Sequence, residues 1–308
     1  MGDTVKTAFV FPGQGSQYVG MGKDLVQLEK PAADIFDRAN DILGFDLRKI
    51  CFEGPVEELK QTWITQPAIF VHSAAILAVI GTRPDMVAGH SLGEYSALYC
   101  AGALEFEDAL KLVQRRGELM YEAGKRSRGT MAAIIGLAQE AVEELCRDAS
   151  DSGVVQPANF NSPGQIVISG SVEGVHRAMQ FARERGARMV KELVVSGAFH
   201  SSLMSYAVEH FQEDLERAVI GDARIPVYSN VTASPVRDAG KIRELLLAQL
   251  TQPVLWEKSI RAMAADGAAR MVEIGPGKVL QGLVARIDRT IETAGVDAYE
   301  SIRAFLNN

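Results

Sequence analysis

The sequence predicts an α/β protein: a mostly parallel sheet covered by helices, interrupted by a smaller inserted unit. Three observations carry this. Apolar runs of strand length alternate with amphipathic helical patterns along 308 residues without internal repeats, and such alternation implies a parallel sheet buried on both faces. Two of the runs, Val5 to Phe11 and Met86 to Ala88, end in glycine-rich turns, where α/β proteins pass from strand to helix and place ligands. Between Gly129 and Val195 the pattern shortens to strand, helix, strand, strand, helix, strand, the order of a ferredoxin-like split βαβ unit.

Taken in order, the first strand ends at Pro12-Gly13-Gln14-Gly15-Ser16-Gln17. This loop is a candidate site but lacks the Lys-Ser/Thr pair of a phosphate-binding P-loop, which disfavours nucleotide binding. Helical patterns follow at Ala32 to Leu43, Val56 to Gln61 and Thr65 to Ile80, the last with Pro67 near its first turn and Gly81 at its end. Its apolar part, Ala68 to Ile80, contains His72 and Ser73 and is short for a bilayer span, so it reads as a buried core helix. The strand at Met86 then meets Gly89-His90-Ser91-Leu92-Gly93. A serine on a sharp strand-to-helix turn is lifted out at the carboxyl end of a sheet, and flanking glycines permit the tight backbone. GxSxG is a loose pattern, and an ordinary βα turn carries it too.

In the helix from Phe106 to Ala123, at about 100° per residue, Ala109, Leu112, Val113, Leu119 and Met120 share one face. Arg116 lies in the middle of that face, whereas Lys111, Arg115, Glu118 and Glu122 fall on the polar side. An inward guanidinium must meet an anion or several acceptors, so either a structural ion pair or an anionic ligand is expected.

The inserted unit comprises strand Thr130 to Ile135, helix Gln139 to Ala149, strand Val154 to Asn159, the turn Asn161-Ser162-Pro163-Gly164, strand Gln165 to Ser169, helix Val172 to Arg185 and strand Arg188 to Val194. The division is a large domain at 1–127 and 196–308 and a small domain at 128–195. The basic run Lys125-Arg126-Ser127-Arg128 leads into it as a solvated linker or a docking surface. The main pattern resumes at Ser196-Gly197-Ala198-Phe199-His200-Ser201. His200 alone among the five histidines sits at a clear strand-to-helix junction; His72, His176 and His210 lie in helices, and His90 projects away from Ser91. Then come helix Leu203 to Val219, strand Ile225 to Asn230, a helix near Ile242 to Leu250, helix Trp256 to Ala265, strand Arg270 to Ile274, the turn Gly275-Pro276-Gly277 and a closing helix to Ile287.

Composition narrows the function. A net charge of −7 argues against a nucleic-acid or anionic-membrane partner, leaving room only for local basic patches. Cys51, Cys100 and Cys146 are widely spaced and form no CxxC or Cys/His cluster, so neither a disulfide framework nor a metal site is expected, and reduced thiols fit the cytoplasm. The start, with Asp3, lacks the build of a signal peptide. A monomer is the expected state.

A serine hydroxyl needs a base to become a nucleophile, and imidazole suits neutral pH; Ser91 with His200 is the economical pair. No acid is placed to orient the histidine, since Glu184 and Glu192 belong to the small unit, and a backbone carbonyl could do so instead. The Leu92 N–H, at a helix start, and the Gln14 loop could hold an oxyanion. Arg116 would then recognise the substrate.

The strings FPGQGSQ (11–17), GHSLGEYSAL (89–98), QRRGELM (114–120), NSPGQIVISG (161–170), GAFHS (197–201), TQPVLW (251–256) and EIGPGKVL (273–280) together resemble the malonyl-CoA:acyl carrier protein transacylases, in family order over nearly the whole chain. The resemblance implies an α/β-hydrolase-like large domain with a ferredoxin-like insertion. It implies Ser91 as acyl-enzyme nucleophile, His200 as base, the N–H groups of Gln14 and Leu92 as oxyanion hole, and Arg116 on the malonyl carboxylate. A main-chain carbonyl at Gln252 would orient His200. Phe199 resembles the bulky residue of malonyl-selective members, against simple packing as its role. The implied reaction is ping-pong, with malonyl-CoA and CoA as substrate and product and no cofactor. The acidic carrier protein would dock on a local basic surface, with Arg126, Arg128, Arg188, Lys191 and Arg286 as candidates and Arg188 foremost. The alternatives are a serine thioesterase or esterase, a non-catalytic carrier-binding subunit, and malonyl transfer in a polyketide pathway rather than in fatty acid synthesis.

Overall fold

The computed structural model describes residues 6–307; Asp3 and Val5 of the sequence reading lie outside them. The described residues form ten strands: β1 (Lys6–Phe11), β2 (Met86–Gly89), β3 (Gly129–Ile135), β4 (Val155–Ser162), β5 (Gln165–Ser171), β6 (Met189–Glu192), β7 (Val227–Tyr228), β8 (Pro235–Val236), β9 (Ala268–Ile274) and β10 (Glu292–Val296).

Six strands make the main sheet, in the order β10-β9-β1-β2-β7-β8. All neighbours are parallel except β7 and β8. The period of two along β1 and β2 explains why both read as continuous apolar runs. Phe9, Phe11 and Val87 point into one core, with the helices Thr62–Ile80 and Phe106–Arg126. Ala8, Val10, Met86 and Ala88 point into a second core, with Trp256, Ile260 and Leu283. A strand covered on both faces has no polar side to show.

The second sheet is antiparallel, in the order β4-β5-β3-β6, the pairing of a ferredoxin-like unit. One face carries the helices Gln139–Ala149 and Val172–Glu184, whose Val142, Leu145 and Val175 pack with Ala132, Ile134 and Ile168 of the sheet. From the other face, Met131 and Val167 join the core of the main unit. The second sheet therefore shares an apolar seam with the core of the main unit, and the cavity described below, lined by Met120, Met131, Leu193 and Phe199, opens there.

Some boundaries differ from the sequence reading. The central helix starts at Thr62 rather than Thr65, its first turn closed by the N–H groups of Ile64 and Thr65 on the Gln61 carbonyl at 2.8 and 2.7 Å. Pro67 thus sits inside the helix, forgoing one backbone bond. At 19 residues and a mean hydropathy of 1.6 this helix is long and apolar enough to cross a membrane, but 78% of that window is buried against the rest of the chain. Regular structure does not close at Ile287: β10 pairs in parallel with β9, and a helix at Tyr299–Leu306 follows. The sequence Glu-Thr-Ala-Gly-Val of this edge strand is half-buried and carries no apolar run to betray it. The strand read at Ile225 to Asn230 shrinks to two residues, preceded by Pro226, which has no N–H for a ladder.

Candidate active site

The main-sheet strands β1 and β2 deliver the Gln14 loop and the Ser91 turn side by side. At Ser91 the backbone is left-handed, φ 51°, a conformation that costs a non-glycine residue about 1–3 kcal/mol and persists only where surroundings impose it. Here they do. The Ser91 N–H donates to Asn230 Oδ1 at 2.7 Å, and Asn230 Nδ2 returns a bond to the Gly89 carbonyl at 2.6 Å. The flanking glycines are sterically required: a Cβ on Gly89 would lie 1.9 Å from the Gly93 carbonyl, and one on Gly93 would lie 2.1 Å from the Phe11 oxygen.

His200, itself at φ 58°, meets this turn from the junction after β6. Its Nε2 lies 2.8 Å from Ser91 Oγ, and its Nδ1 lies 2.8 Å from the main-chain oxygen of Gln249. A carbonyl can only accept, so Nδ1 carries the proton and the unprotonated Nε2 faces the hydroxyl. This corrects the expected orienter. The bond runs to Gln249 rather than to Gln252, whose carbonyl makes a lesser contribution. Gln249 caps the helix Ala239–Ala248, where the last carbonyls have no helical N–H to bind and point out to a partner. Burial foremost, then the Arg116 charge, lowers the imidazole to about 3, so it is neutral at pH 7.

Arg116 is 1% exposed, and among the described residues no carboxylate lies within ion-pair distance of it. The structural ion pair allowed by the sequence is absent there. Its acceptors are all neutral: Nη1 donates to Gln66 Oε1 at 2.7 Å, and Nη2 to Gln249 Oε1 at 2.9 Å and Ser91 Oγ at 3.0 Å. The guanidinium carbon stands 5.6 Å from the Tyr95 ring centre. A buried cation bonded only to neutral groups, one of them the Ser91 hydroxyl, keeps its charge free to pair with an anion.

These groups border a cavity of about 140 Å³ that is lined also by Gln14, Leu92, Phe199, Met120, Met131, Asn159, Leu193 and Val195. The N–H groups of Gln14 and Leu92 have no acceptor among the described residues. Phe199, next to the base, is buried in the wall. His90 turns away from Ser91 as expected, with Nε2 2.8 Å from Asn161 Oδ1 and its ring 5.5 Å from that of Trp256. The other histidines stay outside: His72 bonds the Asp297 carbonyl inside the core, His176 pairs with Glu192, and His210 stacks on Tyr206. Of the basic candidates, Arg188 and Arg286 share a groove of about 350 Å³ with Ser162 and Gln165. Lys191 and Arg128 are exposed, and Arg126 lies over the Tyr206 ring. Among the described residues no cluster of His, Cys, Asp and Glu could hold a metal ion.

Gln66, Asn230, Gln249 and Glu94 escaped the sequence reading. Their amides and carboxylate sit on four separate elements, and only Glu94, inside the GHSLGE string, lay near a motif.

Comparison with known proteins places the chain in a family. Residues 8–302 match the acyl transferase domain model. The malonyl CoA-acyl carrier protein transacylase of Bacillus subtilis is 47% identical over 301 residues, covering 96% of this chain and 95% of that protein. The chain belongs to the malonyl-CoA:acyl carrier protein transacylase family. The Escherichia coli K12 member is 43% identical over 303 residues, covering 97% of this chain and 98% of its own length. Among solved structures, an acyl carrier protein S-malonyltransferase from Vibrio cholerae superposes with a TM-score of 0.95 at 44% identity, covering 97% of this chain and 99% of that one. A malonyl-transacylase solved in complex with a type II PKS acyl-carrier protein gives 0.95 at 42% identity, covering 98% and 100%. This family carries the two-sheet architecture, and membership makes the chain an acyltransferase.

Proposed function

We propose that this enzyme moves a malonyl group from malonyl-CoA to the phosphopantetheine thiol of an acyl carrier protein, through an ester on Ser91. The observation that carries the reading is the buried Arg116 guanidinium, satisfied only by neutral acceptors and 3.0 Å from Ser91 Oγ. A malonyl carboxylate supplies the anion, and a bidentate pair with arginine orients the thioester carbonyl over the serine.

In the first half-reaction the Ser91 oxygen adds to the thioester carbonyl while His200 Nε2 takes its proton. The Gln249 carbonyl, at a helix end, holds the imidazole and favours the imidazolium that forms. The tetrahedral oxyanion accepts from the N–H groups of Gln14 and Leu92. Collapse breaks the carbon–sulfur bond, and the CoA sulfur leaves with the proton from His200. In the second half-reaction the carrier thiol gives its proton to His200 and attacks the ester, and the serine oxygen recovers that proton. Met120, Met131, Leu193, Val195 and Phe199 make an apolar wall that disfavours water at the ester; in this reading Phe199 also limits bulk beside the acyl group.

We assign residues 1–127 and 196–308 to the catalytic domain and 128–195 to the small domain, supported by the separate core of the latter. The carrier docks where Arg188 and Arg286 line one groove, with Lys191 beside it on β6. The enzyme serves fatty acid synthesis as a cytoplasmic monomer without a cofactor. Burial pushes the thiols of Cys51, Cys100 and Cys146 up to about 12, so they stay protonated and unreactive, as suits a reducing compartment.

Intact-mass measurement tests the reading. Malonyl-CoA should leave one malonyl group on the protein, absent in Ser91→Ala and discharged by holo carrier protein. Prompt release of free malonate would instead make the protein a hydrolase, and carrier binding without an adduct would make it a non-catalytic subunit.

A further inference from the structure

The site holds a second buried charge that the reaction steps leave without a task. Glu94, in the first turn of the helix Gly93–Cys100, is 3% exposed. Its Oε2 accepts from Gln249 Nε2 at 2.6 Å and from the Asn230 N–H at 3.2 Å. The same Gln249 amide presents its Oε1 to Arg116 Nη2 at 2.9 Å. One amide group therefore stands between the buried carboxylate and the buried guanidinium, its dipole held the same way round by both. This spacing lets the carboxylate offset the cation's charge while leaving the guanidinium open to substrate.

We propose that Glu94 is the resident counter-anion of Arg116, and that it takes up one proton from solvent when the acyl group's carboxylate docks on the guanidinium. The proposal rests on the reading of Arg116 as the carboxylate receptor. Without substrate, above neutral pH, the buried cluster holds one cation and one anion. Docking adds a second anion, and two carboxylates sharing one cation out of water cannot both stay ionised without a large cost. The substrate carboxylate touches the guanidinium directly, whereas Glu94 reaches it only through the amide, so Glu94 is the group that yields. Its carboxylate becomes a neutral acid, no bond of the acyl group changes, and the proton returns to solvent when malonyl leaves.

The charged and titratable groups that face Glu94 are Arg116 and Tyr95 and, across Gln249, His200. Burial raises the Tyr95 phenol and lowers His200 to about 3, so neither changes charge near neutrality. Burial pushes Glu94 up to about 7, against the opposing pull of Gln249, Asn230, Arg116 and Ser229. It does not touch substrate; it is a positioning residue that also holds Gln249 for both Arg116 and His200.

The test uses Ser91→Ala protein, which binds without turnover, titrated calorimetrically at pH 8 with malonyl-CoA and with acetyl-CoA in buffers of different ionisation heat. At that pH a group of pKa about 7 is about nine-tenths ionised, so malonyl-CoA should draw up to about 0.9 proton per site and acetyl-CoA none. Adding Glu94→Gln should abolish the difference. Infrared difference spectra of Ser91→Ala protein with ¹³C-labelled glutamate need no Glu94 variant, and should show a protonated-carboxyl band with malonyl-CoA only. Equal proton uptake for both esters, uptake that survives Glu94→Gln, or no such band overturns the proposal. Arg116→Ala in the same background separates the two readings. If malonyl-CoA keeps its affinity advantage over acetyl-CoA there, the carboxylate docks elsewhere and the Arg116 reading fails. If the advantage is lost in that variant, yet malonyl-CoA draws no proton with Arg116 present, the Glu94 proposal alone fails.

Discussion

Replacing Arg116 by alanine tests the proposed contact with the malonyl carboxylate. The guanidinium is buried, and a malonyl carboxylate on its fork would form two charge-assisted bonds out of water. Leaving a buried carboxylate without its partner costs about 3–5 kcal/mol, which corresponds to a loss of roughly a hundred- to several-thousand-fold in kcat/KM for malonyl-CoA. Acetyl-CoA has no carboxylate to strand. For it the variant removes the Nη2 bond to Ser91 Oγ, 3.0 Å long, leaves Gln66 and Gln249 short of a donor, and takes the cation from Glu94, which can meet the loss by protonation, so a change within about tenfold is expected. The measurement is single-turnover acylation of Ser91 with both thioesters, alongside thermal melting to verify folding. Arg116→Lys keeps the charge but loses the planar fork, and its malonyl-to-acetyl ratio should lie between those of the parent and the alanine variant. Equal losses for both thioesters in a folded Arg116→Ala protein would refute the carboxylate role.

Other consequences follow from the same geometry. Because burial lowers His200 to about 3, the base is already neutral in mild acid, and kcat/KM for acylation should show no acid limb near pH 6.5; a limb there would mean a solvated imidazole. The folded pKa lies below the unfolded one, so the unfolded state binds more protons between pH 6.5 and 3. The contribution of His200 to stability is therefore complete above about pH 6.5 and declines towards pH 3, and His200→Gln should flatten the fall in denaturant midpoint between pH 6 and 4. Gly89→Ala, with its Cβ 1.9 Å from the Gly93 carbonyl, should destabilise the fold by several kcal/mol or abolish expression, as melting will report; a variant that melts like the parent would show that the turn can relax. Arg188→Glu should raise the KM for holo carrier protein while leaving malonyl-CoA acylation unchanged, and unchanged carrier kinetics would move the docking surface elsewhere.

Much of this protein was legible in one dimension because its signals are local. The apolar runs at Thr7 to Phe11 and Met86 to Ala88 are short, unbroken and ended by glycine, so strand and turn could be read together. The inserted unit kept its period within each element, and its βαββαβ order survives in the sheet order β4-β5-β3-β6. Arg116 stood out as a charge on an apolar face. The edge strand Glu292–Val296 escaped because its partner, β9, lies some twenty residues away in sequence and its own residues are mixed. The start of the central helix was misplaced because Pro67 resembles a first-turn residue, although the backbone tolerates it one turn further in.

The sequence by itself determined the chemistry available: a serine on a glycine-flanked turn, one histidine at a junction, an arginine facing inward. Tertiary structure decided the connections. Ser91, Arg116, His200 and Gln249 are separated by up to 158 residues, and no periodicity encodes which amide will face which charge. That Gln249 rather than Gln252 holds the histidine depends on where a helix ends and which carbonyl it leaves free. That Arg116 meets only neutral acceptors, with Glu94 one amide away, depends on how four elements pack, since the cost of a buried charge is set by everything around it and not by its neighbours in the chain.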